Sequence, residues 1–127
     1  MQKIIIKTDK APLPVGPYNQ AVKIDDLIYT AGQIPLDVKT SQVISGGIAE
    51  QTQLVMEHLK NILQAAGSSL DKAVKATVFL KDMNDFVAMN AVYAQYFKAE
   101  TAPARSTVQV SRLPKDVLVE IEIVAYI

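Results

Sequence analysis

The 127 residues predict an α+β fold, a mixed β-sheet of about six strands with two helices packed on one face. Three observations carry this. Apolar residues recur at helical spacing in two stretches, Ile48 to Ala66 and Asp85 to Lys98. Short runs rich in β-branched residues, several with period-2 alternation, fill much of the rest. Along the chain these read as three strands and a brief fourth, a helix, a strand, a helix and two strands. One domain spanning residues 1–127 is expected, and a chain of this length buries roughly two-thirds of its unfolded surface.

The elements follow in order. Ile4-Ile5-Ile6 reads as a short strand. Thr8 to Pro17 holds three prolines and Gly16, which makes it a loop of restricted geometry that delivers Tyr18. Gln20 to Ile24 and Leu27 to Thr30 form a hairpin around Asp25-Asp26, since aspartate tolerates the left-handed conformation of a tight turn. Ala31-Gly32-Gln33-Ile34-Pro35 ends that strand, Asp37 to Gln42 is a polar turn, and Val43-Ile44 is a brief strand. Ile48, Thr52, Val55, Leu59, Ile62 and Ala66 give the first helix one continuous face, and Gly67 supplies its stop. A turn at Ser69–Lys72 leads to a strand over Lys75–Lys81. Asn84 is placed to cap the second helix, on which Phe86, Asn90, Tyr93 and Phe97 share a stripe. Arg105–Ser111 and Val117–Tyr126 are the last strands, broken by Leu113-Pro114-Lys115-Asp116, because proline cannot donate to a ladder and presets a turn.

Composition excludes several classes. With no cysteine there is no disulfide framework and no thiol nucleophile, and one histidine without cysteine argues against a zinc site. Thirteen basic and thirteen acidic residues balance, with no basic stripe for nucleic acid. Met1–Lys7 has three consecutive apolar residues, too few for a signal-peptide core or a membrane span, so the cytoplasm is the expected compartment. Half the residues are hydrophobic, and the sheet face away from the helices, expected to carry Lys75, Thr77, Phe79 or their alternates with Thr107 and Gln109, is partly polar, a face suited to a partner subunit.

Period-2 alternation puts Arg105 on one face with Thr107 and Gln109, and Glu120 on one face with Glu122 in an otherwise apolar strand. A guanidinium at a strand mouth matches a carboxylate through two parallel hydrogen bonds. The alternative is a structural salt bridge to Glu120 or Glu122. A glutamate in an apolar strand can hold or activate water, and the pattern does not choose between Glu120 and Glu122. If Ser111 paired with Val117 in a hairpin, Arg105 would oppose Ile123, several rungs from Glu120. Asn90 on an apolar stripe demands a partner, most simply a loop backbone group. Tyr18 either contacts ligand or packs under the proline-rich loop. Gly32 either admits a ligand close to the backbone or marks a strand-end bulge. His58, off the main apolar stripe, reads as a solvated helix residue.

Gly16-Pro17-Tyr18, Pro103-Ala104-Arg105-Ser106, Arg112-Leu113-Pro114-Lys115-Asp116 and Val119-Glu120-Ile121-Glu122 resemble the motifs of the Rid family. This is the reactive intermediate deaminase or YjgF-like family, and the likeness is greatest to its RidA subgroup, the 2-iminobutanoate/2-iminopropanoate deaminases. The resemblance spans nearly the whole chain. It implies a chorismate-mutase-like sheet-and-two-helix domain, assembled as a homotrimer with the sheets facing inward as a barrel and pockets between subunits. It implies hydrolysis of short 2-imino acids to 2-keto acids and ammonia, with no metal or organic cofactor. By the same resemblance Arg105 binds the substrate carboxylate and Glu120 is associated with the attacking water. Tyr18, Ala31, Gly32 and Asn90 line the pocket. The alternative is a non-catalytic small-molecule sensor or interaction protein using the same pocket. Three departures stand out: Ser41 where many relatives have glycine, Ala102 where an aromatic residue often precedes the arginine motif, and Thr107 where some relatives have cysteine.

Overall fold

The structure is a computed structural model that describes residues 1–127. The β-branched and alternating runs form β1 (Lys3–Ile6), β2 (Ala21–Ile24), β3 (Leu27–Thr30), β4 (Ala73–Leu80), β5 (Ala104–Gln109) and β6 (Val119–Tyr126). The two stretches of helical period form α1 (Ile48–Ala65) and α2 (Phe86–Tyr93). The strands make one six-stranded sheet in the order β1-β2-β3-β6-β4-β5. Neighbours are antiparallel except β4 and β5, which run parallel because α2 crosses between them.

This order separates two strands that adjoin in sequence. β5 and β6 do not form a hairpin, because β4 lies between them. Arg105 is level with Ala76, and Ala76 with Ile123, so the hairpin pairing with Ile123 becomes a row with β4 in the middle.

The sheet has one dry face. Val119, Ile121, Ile123 and Ala125 alternate inward along β6, and Ala76, Val78 and Leu80 do so along β4. They meet Val55, Met56, Leu59, Ile62 and Leu63 of α1, all without solvent exposure. Each such side chain contributes about 1.5–3 kcal/mol by leaving water. The Gly47 N–H donates to Glu50 Oε1 at 2.8 Å to begin α1. At its end the Ser68 N–H reaches Leu63 O at 2.8 Å and the Gly67 N–H reaches Gln64 O at 3.0 Å. That closure needs the left-handed φ of +82° at Gly67, the predicted stop.

Four local expectations are corrected. The second helix is shorter than Asp85–Lys98: it ends at Tyr93, and Tyr96 leaves the helical path to donate to Glu57 Oε2 of α1 at 2.8 Å. Its approach is capped by Asp82, whose Oδ1 accepts from the Asn84 N–H at 2.9 Å, so Asn84 is the capped residue and not the cap. Val43 makes an isolated bridge to Leu36 and no strand. His58 is 1 % exposed, not solvated. Gln51, Val55, His58 and Ile62 form a second buried stripe on α1, and His58 Nε2 hydrogen-bonds Leu36 O at 2.8 Å.

Candidate active site

The six predicted site residues fall into two groups on opposite faces of the sheet. Tyr18, Ala31, Gly32 and Glu120 line one cavity of about 660 Å³ on the face away from the helices. Arg105 and Asn90 lie on the helical side, at the outer edge formed by β5.

The cavity is built from three segments together with Ser41 and Glu120 of β6. The proline-rich loop contributes Pro12, Leu13, Val15 and Tyr18. Gln20 fixes this loop: its Oε1 accepts from the Thr8 N–H, while Nε2 donates to the carbonyls of Thr8, Ala11 and Pro12 at 2.9–3.2 Å. Tyr18 is about half exposed, and its hydroxyl accepts from the Val15 N–H at 3.4 Å. It therefore both braces its loop and faces the cavity. The second segment, Ala31 to Leu36, is riveted to β6 by a reciprocal pair. The Gln33 N–H donates to Ile121 O at 2.8 Å, and the Ile121 N–H donates to Gln33 O at 3.2 Å. The third is the turn at Pro114–Lys115. Lys115 and Asp116 both take φ of +55°, and Arg112 clasps Asp116 through two hydrogen bonds of 2.8 and 3.2 Å.

Glu120 is half-buried in this cavity, whereas Glu122 on the same face is exposed and does not line it. The structure thereby separates two glutamates that alternation left equivalent. Burial raises the Glu120 carboxyl above its ordinary range, and the neighbouring Glu122 charge adds to the shift. The carboxyl lies against Gly32, close enough that a methyl on Gly32 would meet Oε2 and stand 2.8 Å from Cδ.

Arg105 is held without a counter-charge. Its Nη1 donates to Asn90 Oδ1 at 2.7 Å. Its guanidinium carbon lies 4.7 Å from the ring centroid of Tyr93 and 5.5 Å from that of Phe86. The salt bridge to Glu120 or Glu122 does not form; the chain's one ion pair is Arg112–Asp116. Asn90 finds its partner in Arg105 and not in a loop backbone group. The sequence stripe Phe86–Asn90–Tyr93 is therefore the cradle of the arginine, a role for both aromatics that residue spacing alone presents as core. Beside it, the hydroxyls of Tyr93 and Thr107 have no hydrogen-bond partner within the chain. Burial pushes the Tyr93 phenol up, against the opposing effect of Arg105.

Arg105 and Glu120 do not meet in one chain. They are two strands apart, Arg105 level with Ala76 and Glu120 with Phe79, an offset of about 10 Å along the strands, and they project to opposite faces. Gln20, Lys115, Phe86 and Tyr93 were not among the predicted site residues. For Gln20 the sequence carries no local signal, because it acts on the loop of Thr8 to Pro12, whereas Lys115 lies in the Arg112–Asp116 motif but its place at the cavity was not read from it.

Comparison with known proteins places these features in a family. The Endoribonuclease L-PSP family model matches residues 8–127. A RutC family protein from Pyrococcus abyssi is 56 % identical over 126 residues, covering 99 % of this chain and 98 % of its own. The human 2-iminobutanoate/2-iminopropanoate deaminase is 47 % identical over 121 residues, covering 95 % of this chain and 88 % of its own. The crystal structure of E. coli TdcF with bound serine superposes with a TM-score of 0.91 at 44 % identity, covering 98 % of each chain. No helix is long and apolar enough to cross a membrane. With the six-stranded sheet, the two helices and the arginine and glutamate motifs in their expected strands, the chain belongs to the Endoribonuclease L-PSP family, the Rid or YjgF-like family.

Proposed function

We propose that this protein hydrolyses short 2-imino acids to 2-keto acids and ammonia. The observation that carries this reading is the cradle of Arg105. A cation held by an amide oxygen and two aromatic faces keeps its charge and its remaining N–H donors for an anion, and its planar fork suits a carboxylate. The relatives favour the same ligand class: the human protein is named for two 2-imino acids, and the TdcF structure holds serine, which carries an α-carboxylate.

The chemistry follows from the two groups. Arg105 anchors the substrate carboxylate and so fixes the adjacent C=N carbon. Glu120 orients a water and takes a proton from it as the oxygen adds to that carbon, forming a carbinolamine. The raised carboxyl range of Glu120 suits it to return that proton to the nitrogen. The C–N bond then breaks as the carbinolamine hydroxyl passes its proton to the freed Glu120 carboxylate and C=O forms, so ammonia leaves and the keto acid remains. An imine carbon is already electrophilic, so the residues at hand supply the acid–base chemistry the step requires.

Because the two groups occupy opposite faces of one sheet, the working site needs a second copy of the chain. The Arg105 edge of one subunit is brought to the Glu120 cavity of the next, in the homotrimer that the resemblance implies. The test couples the protein to a dehydratase that releases 2-iminobutanoate from threonine, with semicarbazide trapping the imine. Keto acid release should accelerate and semicarbazone yield should fall. Binding of 2-keto acids without any acceleration would leave the non-catalytic sensor in its place.

A further inference from the structure

Nothing in the φ of Gly32 calls for glycine. The glycines with left-handed φ are Gly46 and Gly67, and Gly32 is not among them. What crowds a side chain there most closely is one neighbour. The three atoms nearest to a Cβ on Gly32 all belong to Glu120: Oε2 first, Cδ at 2.8 Å and Cγ at 3.0 Å. The backbone cannot retreat to make room. The Ala31 N–H is bonded to Gln20 O at 2.8 Å on one side, and Gln33 is paired with Ile121, the residue after Glu120, on the other. The only soft component is the Glu120 side chain.

We infer that Gly32 is a positioning residue whose missing side chain forms the seat of the Glu120 carboxyl. Glycine at 32 and glutamate at 120 are thus one unit: the first sets where the second's carboxyl stands in the cavity. This gives Gly32 a role that does not depend on its touching ligand. Its consequence for turnover rests on the reading of Glu120 given above, while the steric coupling itself does not. Any residue larger than glycine should swing the carboxyl out of its seat and leave the fold in place, since the colliding atoms are the far end of a flexible chain.

The experiment uses the assembled protein in four forms: wild type, Gly32→Ala, Glu120→Ala and the double variant. Three readouts are compared. Calorimetry with 2-ketobutyrate reports the carboxylate anchor, the coupled imine assay reports turnover, and a 13C titration of labelled glutamate carboxyls reports the surroundings of Glu120. Glu122, Lys115 and Tyr18 are the titratable groups facing Glu120 from its own strand, the turn and the loop. They are unchanged in Gly32→Ala. Gly32→Ala should lose at least about tenfold in kcat while ketobutyrate affinity changes less than about threefold. Its Glu120 carboxyl should titrate lower than in wild type, toward that of a solvated glutamate. In the Glu120→Ala background the three atoms that collide with this alanine are gone, so any fall in melting temperature caused by Gly32→Ala should vanish. That comparison keeps the inference testable even if Gly32→Ala alone folds poorly. An unchanged Glu120 titration in a folded Gly32→Ala overturns the inference, as does a melting-temperature loss that persists in the double variant. If wild type fails to hydrolyse imines, the functional reading falls, and the titration and the melting cycle still decide the role of Gly32.

Discussion

Arg105 donates from Nη1 to Oδ1 of Asn90 at 2.7 Å, and this neutral oxygen stands where a structural arginine would carry a carboxylate. The choice of amide over acid has a direct consequence. Asn90→Asp, nearly the same shape, would give Arg105 an internal counter-ion and satisfy it without ligand. Affinity for 2-ketobutyrate should then fall by about 10- to 100-fold, more than in Asn90→Ala, which removes the orienting acceptor but leaves the charge free. Thermal stability of the aspartate variant should not drop. Calorimetry on the three proteins settles it: equal binding by Asn90→Asp and wild type would show that the unpaired charge is not what recognises the ligand.

A second comparison separates anchor from base. Arg105→Lys keeps one positive charge but loses the planar fork and the stack on Tyr93 and Phe86. It should cost about 2–4 kcal/mol of transition-state binding, roughly a 30- to 1000-fold fall in kcat/KM, with weaker binding of keto acids. Glu120→Gln is close to isosteric and should keep ligand affinity while turnover falls. Glu122→Gln, at an exposed position outside the cavity, should retain most activity. Loss of turnover in Glu122→Gln with normal rates in Glu120→Gln would reverse the assignment.

These two residues also mark how far the sequence can be read. Alternation grouped Arg105 with Thr107 and Gln109, and Glu120 with Glu122, since a strand's period of two is a local property. It did not say which face each group takes. The expected placement of Thr107 and Gln109 away from the helices is corrected, because they and Arg105 are level with Val78, Leu80 and Ala76 on the helical side. The relative position of Arg105 and Glu120 was not local. β4 enters the sheet between β5 and β6 from about thirty residues upstream of β5. The same limit explains Asn90, whose oddity was visible on its stripe while its partner, fifteen residues away, was not. His58, Gln20 and Gln51 show a different failure. Residue type predicts exposure for each, yet all three are buried, because each has a specific backbone group to bind across the fold: Leu36 O, the Thr8–Pro12 loop and the Leu118 N–H. Glu120 and Glu122 were inseparable by pattern because only the cavity against Gly32 distinguishes them.

Ser41, noted as a departure from glycine, occupies φ of +60°. A side chain in that region costs about 1–2 kcal/mol, and glycine relieves it while giving back part through greater freedom in the unfolded chain. The turn is otherwise well formed: the Ser41 N–H donates to Asp37 O at 2.8 Å, and Asp37 Oδ1 accepts from the Lys39 and Thr40 N–H groups. Ser41→Gly should therefore raise stability by about 0.5–1 kcal/mol, or the melting temperature by about 2–5 °C. Calorimetric melting checks it, and a lower melting temperature would mean that the serine side chain contributes something the turn geometry does not reveal.

His58 supplies the pH dependence. Its ring is held between α1 and the Leu36 carbonyl, and the hydrogen bond of 2.8 Å is made by the neutral imidazole with its proton on Nε2. Burial lowers its proton affinity below the ordinary 6.5, with the Leu36 carbonyl, Glu57 and Asp37 opposing the shift only in part. The folded state therefore binds a proton at His58 less readily than the unfolded state. Above the unfolded value, near 6.5, both are neutral and stability is at its full level. As pH falls through that value the unfolded chain takes up the proton first, and stability declines until the folded form is protonated as well. Glu120 contributes with the opposite sign, because its raised range makes the folded state the better proton acceptor. The contribution of His58 is isolated by subtraction. His58→Asn should cost about 1–2 kcal/mol at pH 7.5 through lost packing and a poorer hydrogen bond, yet remove the decline beginning near pH 6.5. Urea unfolding of both proteins from pH 7.5 to pH 5 gives the difference curve: the two stabilities should converge as pH falls. Parallel curves would assign the acid sensitivity of the fold to other groups.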